Sequence, residues 1–302
     1  MKIIMKDCLE GAFVALGTFD GLHIGHKAVI TAEKTEYRHN IALMFSEHPQ
    51  EYLRGENPGS LITQGKETEI LSEWGVEAEY VSFSEISRLS PEAFVDEVLI
   101  KKYNAKALAC GFNYRFGKDA QGDSARLMAL CAEREIKITV VEPVLYKEEP
   151  VSSTRIRKAL AKGCMKDVKA MLGRYFSYDF EVVHGDERGR ILGSPTINQF
   201  FDENFAVPEY GVYASFTEVD GKMYPSVTNI GIRPTIGNSE KRSETNIVGF
   251  EGSLYGTHPE VFLVEKIRGE MQFSSLDDLS KRIALDRELS LEILKGESVC
   301  EF

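Results

Sequence analysis

Only five cysteines stand among 302 residues, at positions 8, 110, 131, 164 and 300, and none forms a CxxC pair. An odd, scattered set excludes a disulfide framework and a cysteine-based zinc site. Cys110 lies in an apolar run and reads as a buried thiol. No run of 18 apolar residues occurs, so no transmembrane helix is expected. Residues 1–10 are too few and too charged before the first apolar run for a signal peptide. Positive charge is also short: the net charge is −11. Residues 1–172 carry 23 basic against 25 acidic side chains, and residues 173–302 carry 13 against 22. That balance argues against nonspecific nucleic-acid binding and against anionic membrane surfaces, but not against nucleotides, which need only local donors. A cytoplasmic protein acting on small molecules, with no nucleic acid, membrane or obligate protein partner, is expected.

What is present has the texture of two globular domains: 43% apolar residues, 27% charged and enough length for two cores. The stretch Leu16-Gly17-Thr18-Phe19-Asp20-Gly21-Leu22-His23-Ile24-Gly25-His26 stands out. The apolar run Ala12–Leu16 before it predicts a buried strand, and the amphipathic run from Lys27 to about Tyr37 predicts a helix. A strand that ends in a Gly-rich turn and opens a helix brings backbone N–H groups and a partial positive charge to an anion. His23 and His26, three apart, can face the same way there and donate to phosphate oxygens.

Further strands are expected at Ile41–Phe45, Ala78–Phe83, Ala107–Cys110 and Ile136–Val141, with helices at Glu67–Trp74, ended by Gly75, and from Ser90-Pro91 to about Tyr103. Repeated β-then-α units predict a parallel sheet with helices on both faces, and ligands beyond the carboxyl ends of its strands. Two more motifs fit that rule. Gly111-Phe112-Asn113-Tyr114-Arg115-Phe116-Gly117 offers aromatics, an amide and a guanidinium, suited to a flat ring or a phosphate; alone it equally suits a surface loop. Ser152-Ser153-Thr154-Arg155-Ile156-Arg157 puts hydroxyls and arginines at a helix start, with Ser153 or Thr154 expected as the cap; alone it suits a plain capped helix. His48-Pro49 after a strand reads as an exposed turn.

After a helix over Met165–Leu172 the texture changes at Gly173. Short alternating runs at Ser177–Val183, Gly211–Phe216, Tyr224–Ile230, Glu244–Phe250 and Glu260–Glu265 follow, with a hairpin signal at Asp220-Gly221, and then a charged helix opened by Ser274 or Ser275. An antiparallel barrel is expected. Its polar stretches are a Gly-spaced loop through Gly185, Gly189 and Gly193, then Thr196 and Asn198 as oxygen donors for a hard cation, the turn around Arg233, and Glu244, which could act as a general base. Each by itself also suits a loop or hairpin end.

Taken together and in order, GTFDGLHIGH, GFNYRFG and SSTRIR resemble the FMN adenylyltransferase (FAD synthetase) module of the prokaryotic bifunctional riboflavin kinase/FAD synthetase family, whose nucleotidyltransferase fold resembles that of class I synthetases. GRxLGxPTxN, NIGxRPT and ETxIxxF resemble its riboflavin kinase module. The resemblance implies a Rossmann-like nucleotidyltransferase domain over 1–172 and a six-stranded antiparallel barrel with a C-terminal helix over 173–302. It implies riboflavin, FMN and FAD as substrates and products, ATP as co-substrate and Mg²⁺ as cofactor. Gly17, Phe19, Asp20, His23 and His26 would meet ATP, with Ser153, Thr154 and Arg157 holding the triphosphate from the opposite side. Asn113, Arg115 and Phe116 would lie toward the flavin. In the barrel, Gly189, Thr196 and Asn198 would bind ATP phosphate, Thr196 and Asn198 also Mg²⁺; Glu244 would take the riboflavin hydroxyl proton, and Arg233 and Phe250 would flank the flavin. Two positions depart from the family: Ser194 replaces the usual Phe, and Gly249 an acidic residue. They leave open an adenylyltransferase with a weakened kinase barrel. A flavin-sensing regulator without turnover is the alternative from a different class.

Overall fold

The structure, a computed structural model, describes residues 9–33, 37–185, 195–234 and 239–297. Two compact units form, Met1–Pro58 with Glu67–Val151, and Gly59–Lys66 with Ser152–Phe302.

The first unit is an α/β domain. Its strands are β1 (Leu9–Leu16), β2 (Tyr37–Phe45), β3 (Glu77–Val81), β4 (Ala105–Gly111), β5 (Arg115–Phe116), β6 (Gly122–Asp123), β7 (Lys137–Val141), β8 (Leu145–Tyr146) and β9 (Glu149–Pro150). Five of them make a parallel sheet in the order β3-β2-β1-β4-β7. β1 sits at its centre, and Ala12–Leu16 are buried on both faces, which is why this strand reads as an unbroken apolar run. The helix expected from Lys27 to Tyr37 is shorter, Ile24–Ile30. Thr31 ends it, its hydroxyl donating to the Lys27 carbonyl at 2.8 Å, and Tyr37 is drawn into the sheet as the first residue of β2, in register with Leu9. Ser90 caps the helix at Pro91, as expected, its hydroxyl accepting from Ala93 N–H at 3.1 Å. From Phe94 to Lys102 that helix has π-type winding.

The second unit opens with helices Ser153–Leu160 and Met165–Leu172; the latter ends at Gly173 in the left-handed region, φ 78°. The strands β10 (Phe176–Tyr178), β11 (Val182–Val183), β12 (Ile197–Phe200), β13 (Gly211–Val219), β14 (Lys222–Pro234), β15 (Ser239–Ile247) and β16 (Glu260–Arg268) follow. Their order is β10-β16-β13-β14-β15-β12-β11, antiparallel throughout. Seven strands stand where six were expected, because the run expected over Ser177–Val183 is interrupted. Its first part pairs with β16 and its last part with β12, so one short segment borders both edges and curls the sheet on itself. Buried Gln199 ties the same edges, its amide donating to the carbonyls of Phe180 (2.6 Å) and Pro259 (3.0 Å).

The inside of this sheet is lined with hydroxyls. Ser215, Thr228 and Thr245 form a chain of hydrogen bonds at 2.8 and 2.9 Å, and Thr217 pairs with Ser226 at 2.8 Å, all fully buried. The hairpin at Asp220-Gly221 forms as expected, with φ 51° and 72°, the pair of left-handed residues that a tight two-residue turn demands.

The helix Leu276–Leu294, capped by Ser275, packs on β13 and β14. Asp286, 2% exposed, fixes it: the Arg268 Nε and Nη2 donate to its carboxylate at 2.9 and 2.8 Å, and the Arg282 Nε at 2.9 Å. Asp286→Ala leaves two guanidinium groups facing each other without their carboxylate. It is expected to lower unfolding stability by about 3–5 kcal/mol, read from a urea melt of the whole chain.

Candidate functional site

Two groups of the expected residues come together, one in each unit. In the first, Leu16 at the end of β1 is in register with Cys110 near the end of β4. Between these two strands the sheet order reverses, so the loops after Leu16 and after Gly111 leave side by side at the crevice where open α/β sheets hold ligands. The Gly17–His26 turn is tightly built. A Cβ on Gly17 would lie 2.7 Å from the Phe19 ring. Phe19 (φ 52°) and Leu22 (φ 41°) hold left-handed conformations costing of order 1–3 kcal/mol each, and Leu22 N–H donates to the Phe19 carbonyl at 3.1 Å. Strain of this kind persists where the surroundings enforce it, commonly at ligand sites.

His23 is the N-cap of the helix Ile24–Ile30. Its Nδ1 accepts from the His26 backbone N–H at 3.2 Å, so the proton of a neutral His23 sits on Nε2. The two rings stack at 3.5 Å between centroids, and the Phe19 ring meets His26 edge-on at 5.4 Å. Phe19 itself is fully buried, a support for His26 rather than a surface for a ligand. Asp20 lies near Glu67, whose carboxyl is pushed up by burial and then by the Asp20 charge, against the lowering effect of its hydrogen bond from the Tyr80 hydroxyl. Sequence reasoning did not single out Glu67.

The GFNYRFG loop is split between core and surface. Phe116, expected near the flavin, is 6% exposed and lies in the apolar core beside Phe94, with Tyr114 stacked on it at 5.7 Å; a strand of two residues, β5, turns it inward. The outward aromatic is Phe112, 43% exposed and adjacent to exposed Asn113. Arg115 is exposed and 3.7 Å from the Asp123 carboxylate. His48 is not a bare turn residue: it caps the helix Pro49–Arg54 by accepting from Gln50 N–H at 3.2 Å.

The SSTRIR motif belongs to the second unit. Ser152, one residue before the expected caps, takes that role by accepting from Arg155 N–H at 3.3 Å. Ser153 and Thr154 therefore form the first turn of the helix. Arg157 Nε donates to the Gly59 carbonyl at 2.8 Å and so helps hold the Gly59–Lys66 segment on this unit.

On the outer face of the barrel, β12, β15 and β14 lie side by side. Asn198 is directly opposite Glu244, and Glu244 is directly opposite Asn229. Register partners share a face, so the three side chains stand in one row, with the hydroxyl chain on the other side of the sheet. Glu244 lies within β15, not at its start as expected; the strand begins five residues earlier, in a run without apolar residues. Asn198 is 6% exposed, and its Oδ1 is buried with no hydrogen-bond partner among the described residues. A Cβ on Gly185 would lie 2.3 Å from its Nδ2, so a larger residue there would displace the Asn198 amide. Thr196, the residue just before β12, is half-buried. Asn246 Nδ2 donates to the Pro195 carbonyl at 2.8 Å and ties down the approach to Thr196.

In the next row Arg242 faces Phe200 on one side and Gly231 on the other. Its Nη2 is 2.5 Å from Glu244 Oε1. Gly231 leaves room for Glu270, whose Oε1 comes within 2.9 Å of where a Cβ would be. Arg242 and Glu270 escaped the sequence reading, and Asn229 was read only as the start of a turn, whereas it lies inside β14; placing them requires the phase and register of the strands. Phe250 packs edge-on against Tyr224 at 5.6 Å, at the border of an apolar cluster with Val219, Ile247 and Leu254. Gly249 sits in the turn after β15 at φ 79° with open space where a Cβ would point, a conformation that suits glycine. Gly189, Ser194 and the side chain of Arg233 lie outside the described residues. The described residues hold no group of three or more His, Cys, Asp or Glu able to bind a metal.

Comparison with known proteins assigns the two halves separately. Residues 5–155 match a family profile described as FAD synthetase, and residues 172–294 one described as riboflavin kinase. The bifunctional riboflavin kinase/FMN adenylyltransferase of Escherichia coli (strain K12) is 34% identical over 289 residues, covering 92% of this chain and 91% of that one. The protein of the same description from Bacillus subtilis (strain 168) is 33% identical over 299 residues, covering 94% and 93%. A crystal structure described as a macrolide-efflux protein from Streptococcus pneumoniae matches with a TM-score of 0.84 at 29% identity, covering 96% of each chain. Among the described residues no helix is long and apolar enough to cross a membrane.

Proposed function

The chain belongs to the bifunctional riboflavin kinase/FMN adenylyltransferase family, and on that premise we propose how its own residues divide two consecutive ATP-dependent steps. Residues 173–302 phosphorylate riboflavin to FMN, and residues 1–172 join FMN to AMP, giving FAD and pyrophosphate. Both steps act on small molecules, and we place them in the cytoplasm.

In the first step the riboflavin 5′-hydroxyl oxygen bonds to the γ-phosphorus of ATP, and ADP leaves. An alcohol needs a proton acceptor as it attacks, and Glu244 is the carboxylate positioned for it. The observation that carries this reading is Asn198 facing Glu244 across β12 and β15 with its Oδ1 buried and without a hydrogen-bond partner among the described residues. A buried carbonyl oxygen without a partner is costly unless a ligand completes it, and a hard cation or a donor on the nucleotide would do so. Thr196 and Asn198 would hold Mg²⁺ there, which when bound neutralises phosphate charge; most of its remaining ligands would be water and phosphate oxygens.

In the second step an FMN phosphate oxygen attacks the α-phosphorus of ATP and pyrophosphate leaves. The attacker is already anionic at neutral pH, so this unit needs donors and positioning rather than a base. His23, with its Nε2–H as donor, and His26 beside it steady the charge at the helix mouth, with Gly17 and Asp20 shaping the turn. Asn113 and Arg115 contribute to the flavin side, with Phe112 as the exposed aromatic of that loop.

One assay tests both assignments. Incubated with riboflavin, Mg²⁺ and ATP, the chain is expected to yield FMN, FAD, ADP and pyrophosphate, separated by chromatography. FMN without FAD would remove the assignment of residues 1–172. FAD formed only when FMN is supplied would remove that of residues 173–302 and favour a weakened kinase barrel, for which Ser194→Phe with Gly249→Asp is the natural repair to try.

A further inference from the structure

We infer that Arg242 is a positioning residue for phosphoryl transfer, acting by holding Glu244 in its reactive orientation. The inference rests on the assignment of Glu244 as proton acceptor and extends it. A glutamate side chain has three rotatable bonds, and one on a sheet surface has nothing intrinsic to fix its carboxylate. Here the two residues are i and i+2 on β15, so both project from the same face of the strand. Arg242 Nη2 lies 2.5 Å from Glu244 Oε1, and the arginine side chain is only 15% exposed against 32% for the glutamate. The guanidinium is thus the better buried member, a planar donor that is always charged and set into the sheet surface.

Its neighbours explain why the cation stays there. Across β14 its register partner is Gly231, and the carboxylate of Glu270 occupies the space a side chain at 231 would fill. Across β12 its partner is Phe200. A cation flanked by carboxylates on this face can hold one Glu244 oxygen while the other turns toward the row shared with Asn198 and Asn229. The proton of the attacking hydroxyl would then pass to the oxygen not engaged by Arg242. The bonds made and broken are those of the proposed kinase step, with ADP leaving and the proton going to Glu244.

The test is a double-mutant cycle on the full chain, with Arg242→Ala, Glu244→Gln and the pair, measuring kinase kcat and KM for riboflavin and for ATP. Arg242→Ala is expected to lower kcat on the order of 10²-fold, the scale set by misplacing a catalytic group, with each KM changed by less than about threefold. In the Glu244→Gln background the same substitution should cost less than about threefold more, because its route of action is already gone. Arg242→Lys should recover part of the loss, keeping the charge without the planar fork. A urea melt of each variant against the native chain reports that the second unit is folded, and unchanged FMN adenylylation confines the effect to that unit. Losses that add in the double variant, or a loss carried by the KM for ATP, would overturn the inference and make Arg242 a nucleotide contact. So would full kinase activity in Arg242→Ala. If Glu244→Gln itself keeps wild-type turnover, the glutamate assignment fails instead, and Arg242 with it.

Discussion

Glu244→Gln is expected to cut formation of FMN from riboflavin by about 10³-fold while FAD formation from supplied FMN continues at the wild-type rate. The substitution preserves the shape of the side chain and its reach toward Asn198 and Asn229, the residues flanking it across β12 and β14. What it removes is the ability to take a proton, and general-base assistance commonly contributes 10²–10⁴-fold. The amide also loses its ion pair with Arg242, at 2.5 Å in the native chain, so a change in stability must be measured alongside. That ion pair is partly exposed, and its loss should cost no more than about 1 kcal/mol. Initial rates of ADP release with riboflavin, and of pyrophosphate release with FMN, separate the outcomes on one preparation. Near-native ADP release would transfer the base role to another group on the same face. A parallel fall in both rates would mean that the fold was damaged.

How much of this site could be read in advance depended on polarity. β1 was legible because a parallel strand buried on both faces must be apolar, and Ala12–Leu16 is. The hairpin at Asp220-Gly221 was legible because its two left-handed residues need such a pair. β15 was not legible at its start. From Ser239 to Asn246 it has no apolar residue, since its inward side chains, Ser243 and Thr245, pack into a lining of hydroxyls rather than an oily core. The usual alternation signal therefore vanishes, and Glu244 reads as the opening of a strand when it is well inside one. With the strand phase hidden, Arg242 and Asn229 could not be placed on its face. The same reasoning covers β12, whose four residues include buried Asn198 and Gln199. Phe116 failed for the opposite reason. A motif shows which residues cluster in sequence but not which way each points, and a two-residue strand sends this ring into the core while Phe112 faces out.

His26→Ala is expected to slow FAD formation by about 10²-fold and leave riboflavin phosphorylation unchanged. The prediction is selective because of how the turn is built. The N-cap contact uses the backbone N–H of residue 26 and the Nδ1 of His23, so alanine at 26 keeps it. The left-handed backbone at Phe19 and Leu22 is set by its own turn, closed by the Leu22 N–H to Phe19 carbonyl bond at 3.1 Å. What disappears is one ring, stacked on His23 at 3.5 Å and braced by the edge of Phe19. That bracing suggests a donor held ready before the nucleotide arrives, and a preorganised donor to developing charge is where such losses concentrate. The loss should therefore appear in kcat for pyrophosphate release more than in the KM for ATP. His26→Asn, which keeps a donor on a shorter arm, should fall between alanine and the native residue. If alanine at 26 instead raises the KM for ATP and leaves kcat alone, His26 binds the ground state and transition state equally, and the stabilising role passes to His23.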